Sequence, residues 1–120
     1  MAFKKLTPML YTHDVEGTID FYTTYLGFIC GDKNGEWNWA AMHRDEVDIM
    51  LAKPNEQTPF EKSVFTGSFY IYVDNVDSLW EQLKNRVKVC YAIENFDWKM
   101  REFAIYDNNG YVIQIGQDIS

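Results

Sequence analysis

Met100-Arg101-Glu102-Phe103-Ala104-Ile105-Tyr106-Asp107-Asn108-Asn109-Gly110-Tyr111 is the stretch on which the fold turns. Met100 to Tyr106 reads as a strand rich in apolar and aromatic side chains, and Tyr111 to Gly116 reads as a second strand. Between them Asp107-Asn108-Asn109-Gly110 predicts a tight hairpin of type I′, because Asn and Gly accept positive φ. Working back, Val89 to Ile93 is a third strand. Before it comes a helix capped by Asp74 or Asn75, with Val76, Leu79, Leu83 and Val87 on one face. Ser68 to Val73 is a strand that opens the series. The order is strand, helix, strand, strand, strand.

The same order stands earlier in the chain. Lys5 to Thr12 reads as a strand, and Asp14 caps a helix whose apolar face carries Val15, Ile19, Tyr22 and Leu26. Gly27 stands at the C′ position that ends it. Phe28 to Gly31, Trp37 to Met42 and Val47 to Ala52 follow as strands, separated by Asp32-Lys33-Asn34-Gly35 and by Arg44-Asp45-Glu46. Laid on each other, the halves match Thr7 with Ser68, Leu10 with Ile71, Ile19 with Trp80 and Tyr22 with Leu83. The expected fold class is therefore α+β, with two βαβββ repeats whose curved mixed sheets surround a cavity. Repeat one covers about residues 5–53, a connector 54–66 and repeat two about 67–118, all within one domain spanning 1–120.

Composition narrows the function classes. Hydrophobic content of 47% and aromatic content of 17% exclude a disordered chain. A net charge of −7 argues against nucleic acid, whose binding rests on Lys and Arg at phosphates. The same charge reads in two ways: an acidic cleft that concentrates a cationic ligand, or a device for solubility. Two cysteines, Cys30 and Cys90, are too few for a disulfide framework and point to a reducing compartment. Met1-Ala2-Phe3-Lys4-Lys5 lacks the apolar core of a signal peptide. No stretch approaches the ~20 apolar residues of a membrane span, so a cytoplasmic protein without membrane partners is expected.

Two motifs carry a family resemblance. Val15-Glu16-Gly17-Thr18-Ile19-Asp20-Phe21-Tyr22 followed by Leu26-Gly27-Phe28 resembles the first helix of the vicinal oxygen chelate superfamily. Trp98-Lys99-Met100-Arg101-Glu102-Phe103 with Asp107-Asn108-Asn109-Gly110 is similar to the "Trp-Gly-x-Arg-x-Phe-x-x-x-Asp-Pro-Asp-Gly" run of its bleomycin-resistance-like branch. With Tyr70-Ile71-Tyr72-Val73-Asp74-Asn75-Val76 the resemblance covers nearly the whole chain. Lys99 stands where the branch has glycine, and Asn108-Asn109 replaces Pro-Asp. Enzymes of the superfamily hold a divalent metal on first and last strands of each half. The resemblance maps those positions onto Thr7, Asp48, Ser68 and Gln114. Two hydroxyls, one short carboxylate and one amide do not make a catalytic zinc, nickel or iron site, so neither metal nor other cofactor is expected. His13 and His43 fall at a strand end and in a hairpin, away from the mapped positions.

Strand alternation assigns neighbours to faces. Asp48 and Met50 share one, as do Ser68, Tyr70 and Tyr72, and the mapping turns these toward the cavity together with Gln114. Trp37 and Trp39 share a face that alternation does not identify. Trp98 occupies the place where resistance-type proteins present an aromatic ring to a planar ligand, and also suits a packed rim residue. Glu102 is a candidate acid–base group beside Arg101, which fits a structural ion pair.

The resemblance, the acidic charge and the aromatic excess together suggest three functions. The first is a metal-free protein that binds or sequesters a small planar, cationic molecule, as in antibiotic resistance. The second is a glyoxalase-like or dioxygenase-like lyase, isomerase or oxidoreductase with an atypical or absent metal site. The third is an interaction protein whose aromatics fill its own cavity. The resemblance also implies a homodimer, which would cover sheet edges.

Overall fold

The computed structural model describes residues 1–36, 38–55 and 60–120. The chain divides into two compact units, Met1–Ser63 and Val64–Ser120. Trp37 and residues 56–59 of the connector lie outside the described residues.

In the first unit, β1 (Met9–Tyr11) leads into α1 (Val15–Leu26), then β2 (Ile29–Asn34), β3 (Trp39–Arg44) and β4 (Val47–Ala52). The Asp14 side chain accepts from the Gly17 N–H at 2.9 Å, satisfying one of the donors that a helix start leaves unpaired. Gly27 closes the helix in the left-handed region at φ 66°. The sheet order is β1-β4-β3-β2, with β1 parallel to β4 and the other pairs antiparallel. Leu10, Ala40, Met42, Ile49 and Leu51 are buried on one sheet face, together with Ile19, Tyr22 and Leu26 of the helix. Thr12 and Thr18, also buried, bond each other through their hydroxyls at 3.0 Å, so neither leaves a polar atom stranded in the core.

The second unit repeats the plan: β5 (Phe69–Tyr72), α2 (Val76–Leu83), β6 (Val89–Phe96), β7 (Met100–Tyr106) and β8 (Val112–Asp118). Its sheet order is β5-β8-β7-β6, again with only the first pair parallel. Of the two candidate caps, Asn75 takes the role, accepting from the Ser78 N–H at 3.2 Å. Asp14 and Asn75 are equivalent in the repeat overlay, as are Val15 and Val76 that open the helices. The fold is thus a duplicated βαβββ unit built of two four-stranded mixed sheets and two helices.

Three expectations need correction. Strand β1 is shorter than Lys5 to Thr12, because only Met9–Tyr11 finds a partner strand. Val87 lies beyond α2, which ends at Leu83 and gives way to turns. The 107–110 loop is not type I′, since Gly110 alone there has positive φ, at 91°. The Gly110 N–H bonds the Asp107 carbonyl at 3.1 Å, while one Asp107 carboxylate oxygen accepts from the Asn109 and Tyr111 N–H groups. Asp107 therefore builds an Asx-stabilised turn with glycine at its left-handed end, a longer hairpin than the two-residue one.

The β6–β7 hairpin holds a strained residue. Lys99 takes φ 66° where the resembling branch has glycine. A left-handed non-glycine residue costs about 1–2 kcal/mol, and glycine's extra freedom in the unfolded chain returns about 0.5–1 kcal/mol of that. Lys99→Gly is accordingly expected to stabilise the protein by about 0.5–1 kcal/mol, read as a rise in Tm of a few degrees.

Candidate functional site

The sheet of the second unit has two unlike faces. Phe103 and Ile105 point to α2, where Trp80 packs on Phe103 at 5.1 Å between ring centroids. The alternate residues, Glu102 and Ala104, point the other way. Strand pairing puts Gly116 beside Glu102 and Gln114 beside Ala104, with Tyr70 beside Gln114 and Tyr72 beside Gly116. This second face is polar and aromatic together.

Glu102 is its centre. The residue is fully buried, at 0% exposure. Its Oε1 accepts from the Trp98 indole Nε1–H at 2.7 Å and from the Tyr70 hydroxyl at 2.7 Å. Its Oε2 accepts from the Tyr91 hydroxyl and, at 3.4 Å, from Gln114 Nε2. Gln114 Nε2 also donates to the Tyr91 oxygen at 2.8 Å, and Ser68 Oγ donates to Gln114 Oε1. A continuous hydrogen-bonded chain thus runs from Ser68 to Trp98, linking all four strands of the unit and the β6–β7 loop.

Every donor to this carboxylate is neutral. Arg101, next along the strand, pairs instead with Asp77 at 2.9 Å and bonds Asn95 at 3.0 Å. Among the described residues no ion pair involves Glu102. Burial pushes its carboxyl pKa up, but the hydrogen bonds from Tyr91, Trp98, Tyr70 and Gln114 outweigh burial and hold it below the usual 4.5. Glu102 is therefore ionised at neutral pH. Burial and the bond to Glu102 push the Tyr70 phenol well up. Burial, aided by Glu102 against the opposing bond from Gln114, pushes Tyr91 up to about 12. Both phenols remain donors, which suits the anion they hold.

Aromatic rings surround this anchor. Trp98 stacks on Phe96 with centroids 4.6 Å apart and planes at 12°, and Phe96 meets Tyr91 edge-on at 5.6 Å. Tyr70 and Tyr72 lie 5.1 Å apart. Trp98 nevertheless stays 60% exposed and Tyr72 75% exposed. A ring held at its edge and open to solvent is a platform for stacking.

The residues named from the sequence are distributed unevenly over the two units. Ser68, Tyr70, Gln114, Glu102 and Trp98 belong to one hydrogen-bonded network, with Tyr72 packed on Tyr70. Asp48, Met50 and Trp39 belong to the first unit. There strand pairing sets Trp39 beside Ala52, Ala41 beside Met50 and His43 beside Asp48, so Trp39 shares the face of Met50 and Asp48, away from the buried one. Trp37 is outside the described residues. His13 is exposed, with its ring 5.1 Å from that of Phe60 and its Nε2 3.2 Å from the Glu61 carbonyl. A shallow depression of about 150 Å³ touches Trp39, His13, Lys33 and Lys53. Two of its charges, Lys33 and Glu16, pair with each other at 3.1 Å.

Strand register corrects the mapping of Asp48. Met9 pairs with Met50 in the first unit, as its equivalent Tyr70 pairs with Gln114 in the second. Met50, not Asp48, is therefore the counterpart of Gln114. Asp48 stands two residues earlier and forms an exposed ion pair with Lys5 at 2.9 Å. By the same register Trp39 is the counterpart of Glu102. The mapped donor set becomes Thr7, Met50, Ser68 and Gln114, of which the last two bond each other. A hydroxyl pair, a thioether and an amide do not fit a divalent metal of the superfamily's enzymes. Among the described residues no group of three His, Cys, Asp or Glu side chains is placed to hold a metal.

Tyr91 and Phe96 were not legible as site residues. Register shifts between Val89 and Tyr91 and between Tyr91 and Glu94 break the alternation that would have assigned their face. Of the adjacent charges Arg101 and Glu102, Glu102 is the packed member, while Arg101 pairs with Asp77 nearer the surface.

Residues 6–115 match the model of the Glyoxalase/Bleomycin resistance protein/Dioxygenase superfamily. The chain belongs to that superfamily. A protein of unknown function from Agrobacterium tumefaciens str. C58 has a similar structure, with a TM-score of 0.83 at 17% identity over 98% of this chain and 96% of that one. A lactoylglutathione lyase from Agrobacterium tumefaciens gives 0.75 at 18% identity, covering 95% and 92%. A glyoxalase/bleomycin resistance protein/dioxygenase from Nocardioides gives 0.77 at 18%, covering 100% and 87%. At such identities these likenesses establish the superfamily's fold and no activity. No curated protein matches the chain significantly. Among the described residues no helix is long and apolar enough to cross a membrane.

Proposed function

We propose that this member of the superfamily binds or sequesters a small, flat aromatic molecule reversibly and without a metal ion, in the manner of the resistance-type proteins. The observation that carries the reading is Trp98: an indole 60% exposed, stacked on Phe96 and tied by its N–H to a buried carboxylate. Stacking on a pre-positioned ring adds roughly 0.5–1.5 kcal/mol beyond area burial, and the ring loses little freedom because its edge is already held. The glyoxalase-like or dioxygenase-like alternative draws on the fold, and its metal-dependent form needs a metal that Thr7, Met50, Ser68 and Gln114 do not suit.

A thermal-shift titration in chelator tests the reading with planar aromatic compounds and, as controls, α-ketoacids. A planar compound at ~100 times its Kd is expected to stabilise the fold by about 2.7 kcal/mol. Trp98→Ala is expected to weaken the same compound about tenfold, the size of a lost aromatic stack. Stabilisation by zinc, nickel or iron and by no planar compound would overturn the reading in favour of an enzyme.

A further inference from the structure

We propose that Glu102 is a positioning residue that makes the aromatic face selective for planar cations. This rests on the reading that the face around Trp98 binds a planar molecule, and it assigns to one buried residue the preference for cations that the family resemblance and the acidic charge suggest. The geometry is a buried carboxylate whose partners are the edges of aromatic side chains: the indole N–H of Trp98, and the hydroxyls of Tyr70 and Tyr91. No lysine or arginine neutralises it among the described ion pairs, since Arg101 is turned to Asp77 and Lys5 to Asp48.

Two effects then act on a guest lying on Trp98. A carboxylate accepting from the indole N–H draws the proton toward itself and leaves the ring richer in electron density, so the ring's face attracts a cation more strongly. The negative charge of Glu102 also acts directly. It has no direct contact with solvent and its Oε1 is 2.7 Å from the indole nitrogen, so a molecule on that ring lies close to the charge. A neutral planar guest gains the stack alone. A planar cation gains the stack, the cation–π attraction and the attraction of Glu102. The formal charge of −7 acts in the same direction at long range, raising the local concentration of cations.

Glu102 reaches the guest through Trp98. Its loss should therefore change which guest is preferred, whereas a residue with a packing role alone would weaken both guests alike. The probes are 10-methylacridinium and acridine at mildly alkaline pH, where acridine is uncharged and the two have nearly the same shape. Affinities are measured by quenching of tryptophan emission and by calorimetry on the full chain. The natural sequence is expected to bind 10-methylacridinium about tenfold tighter than acridine. In Glu102→Gln, which keeps the shape and removes the charge, the ratio of affinities is expected to fall to within about twofold of one. Trp98→Phe keeps an exposed ring, severs the indole N–H link and leaves the buried network otherwise whole; the ratio is expected to fall at least about threefold. Should Glu102→Gln not fold, Glu102→Asp decides: it keeps an acceptor but draws the carboxylate back from the indole, and an unchanged ratio overturns the role of Glu102. Equal binding of both probes by the natural sequence overturns cation selection and leaves planar binding standing. A ratio that survives in a folded Glu102→Gln overturns the role of Glu102. Failure of both probes to bind overturns the inference together with the reading beneath it.

Discussion

Glu102→Ala is expected to destabilise the protein by about 3–4 kcal/mol, seen in urea as a lower midpoint with an unchanged slope. The carboxylate accepts from Tyr70, Tyr91 and Trp98 and more weakly from Gln114. Alanine leaves those donors facing a cavity. A buried donor without an acceptor costs about 1–3 kcal/mol, but the exposed edge of Trp98 finds water, so the losses do not sum in full. Glu102→Gln retains an acceptor and should cost about 1–2 kcal/mol.

The pH dependence of stability separates these two variants from the natural sequence. Glu102's carboxyl pKa is depressed in the folded protein by hydrogen bonds that overcome burial, and is ordinary when unfolded. Between the two values the unfolded chain binds more protons, so stability rises with pH across that window. The contribution is fully present above the unfolded value of roughly 4.3–4.5 and is lost as pH falls through the folded value. An acid titration of urea midpoints is thus expected to fall more steeply below that point in the natural sequence than in Glu102→Gln. The depressed Asp77 and Asp118 carboxyls are common to both proteins and drop out of the comparison.

Gly116→Ala is the second large effect, about 2 kcal/mol, and it acts on the same anchor from the neighbouring strand. A Cβ at Gly116 would collide with the Tyr70 hydroxyl and lie 2.8 Å from its ring carbon Cζ. Gly116 is the cross-strand partner of Glu102, and its missing side chain is the space through which Tyr70 reaches the carboxylate. Alanine expels the phenol and forfeits a hydrogen bond to a charged group, worth about 1.5–3 kcal/mol. A double-mutant cycle with Tyr70→Ala checks this. In that background Gly116→Ala should cost no more than about 0.5 kcal/mol, because the colliding ring is gone. A full cost in both backgrounds would place the effect in the backbone and detach Gly116 from the Glu102 network.

The two variants also show why part of the site was hidden. Ser68 and Gln114 were named through the family resemblance, and alternation along a regular strand then added Tyr70 as a neighbour on the same face. Tyr91 was not added, because bulges in β6 shift its phase. Asp48 entered the mapped set through the family resemblance, and the pairing of Met9 with Met50 removes it in favour of a methionine.

What the sequence by itself determined is local. Asp14 and Gly27 mark the ends of α1 because a cap bonds a donor three residues away and a left-handed stop needs no distant partner. At α2 the sequence left Asp74 and Asn75 open, and the structure selects Asn75. The duplicated strand order follows from apolar periodicity repeated along the chain. The tertiary structure alone decided the fate of Glu102. In Met100-Arg101-Glu102-Phe103 two adjacent charges compete, and nothing local tells which is stripped of water. The choice is made by Tyr70, Tyr91 and Gln114, which lie 32, 11 and 12 positions away and supply the donors that let a carboxylate remain ionised in the interior. Burial of a charge depends on partners brought together by sheet pairing, and those partners are distant in sequence.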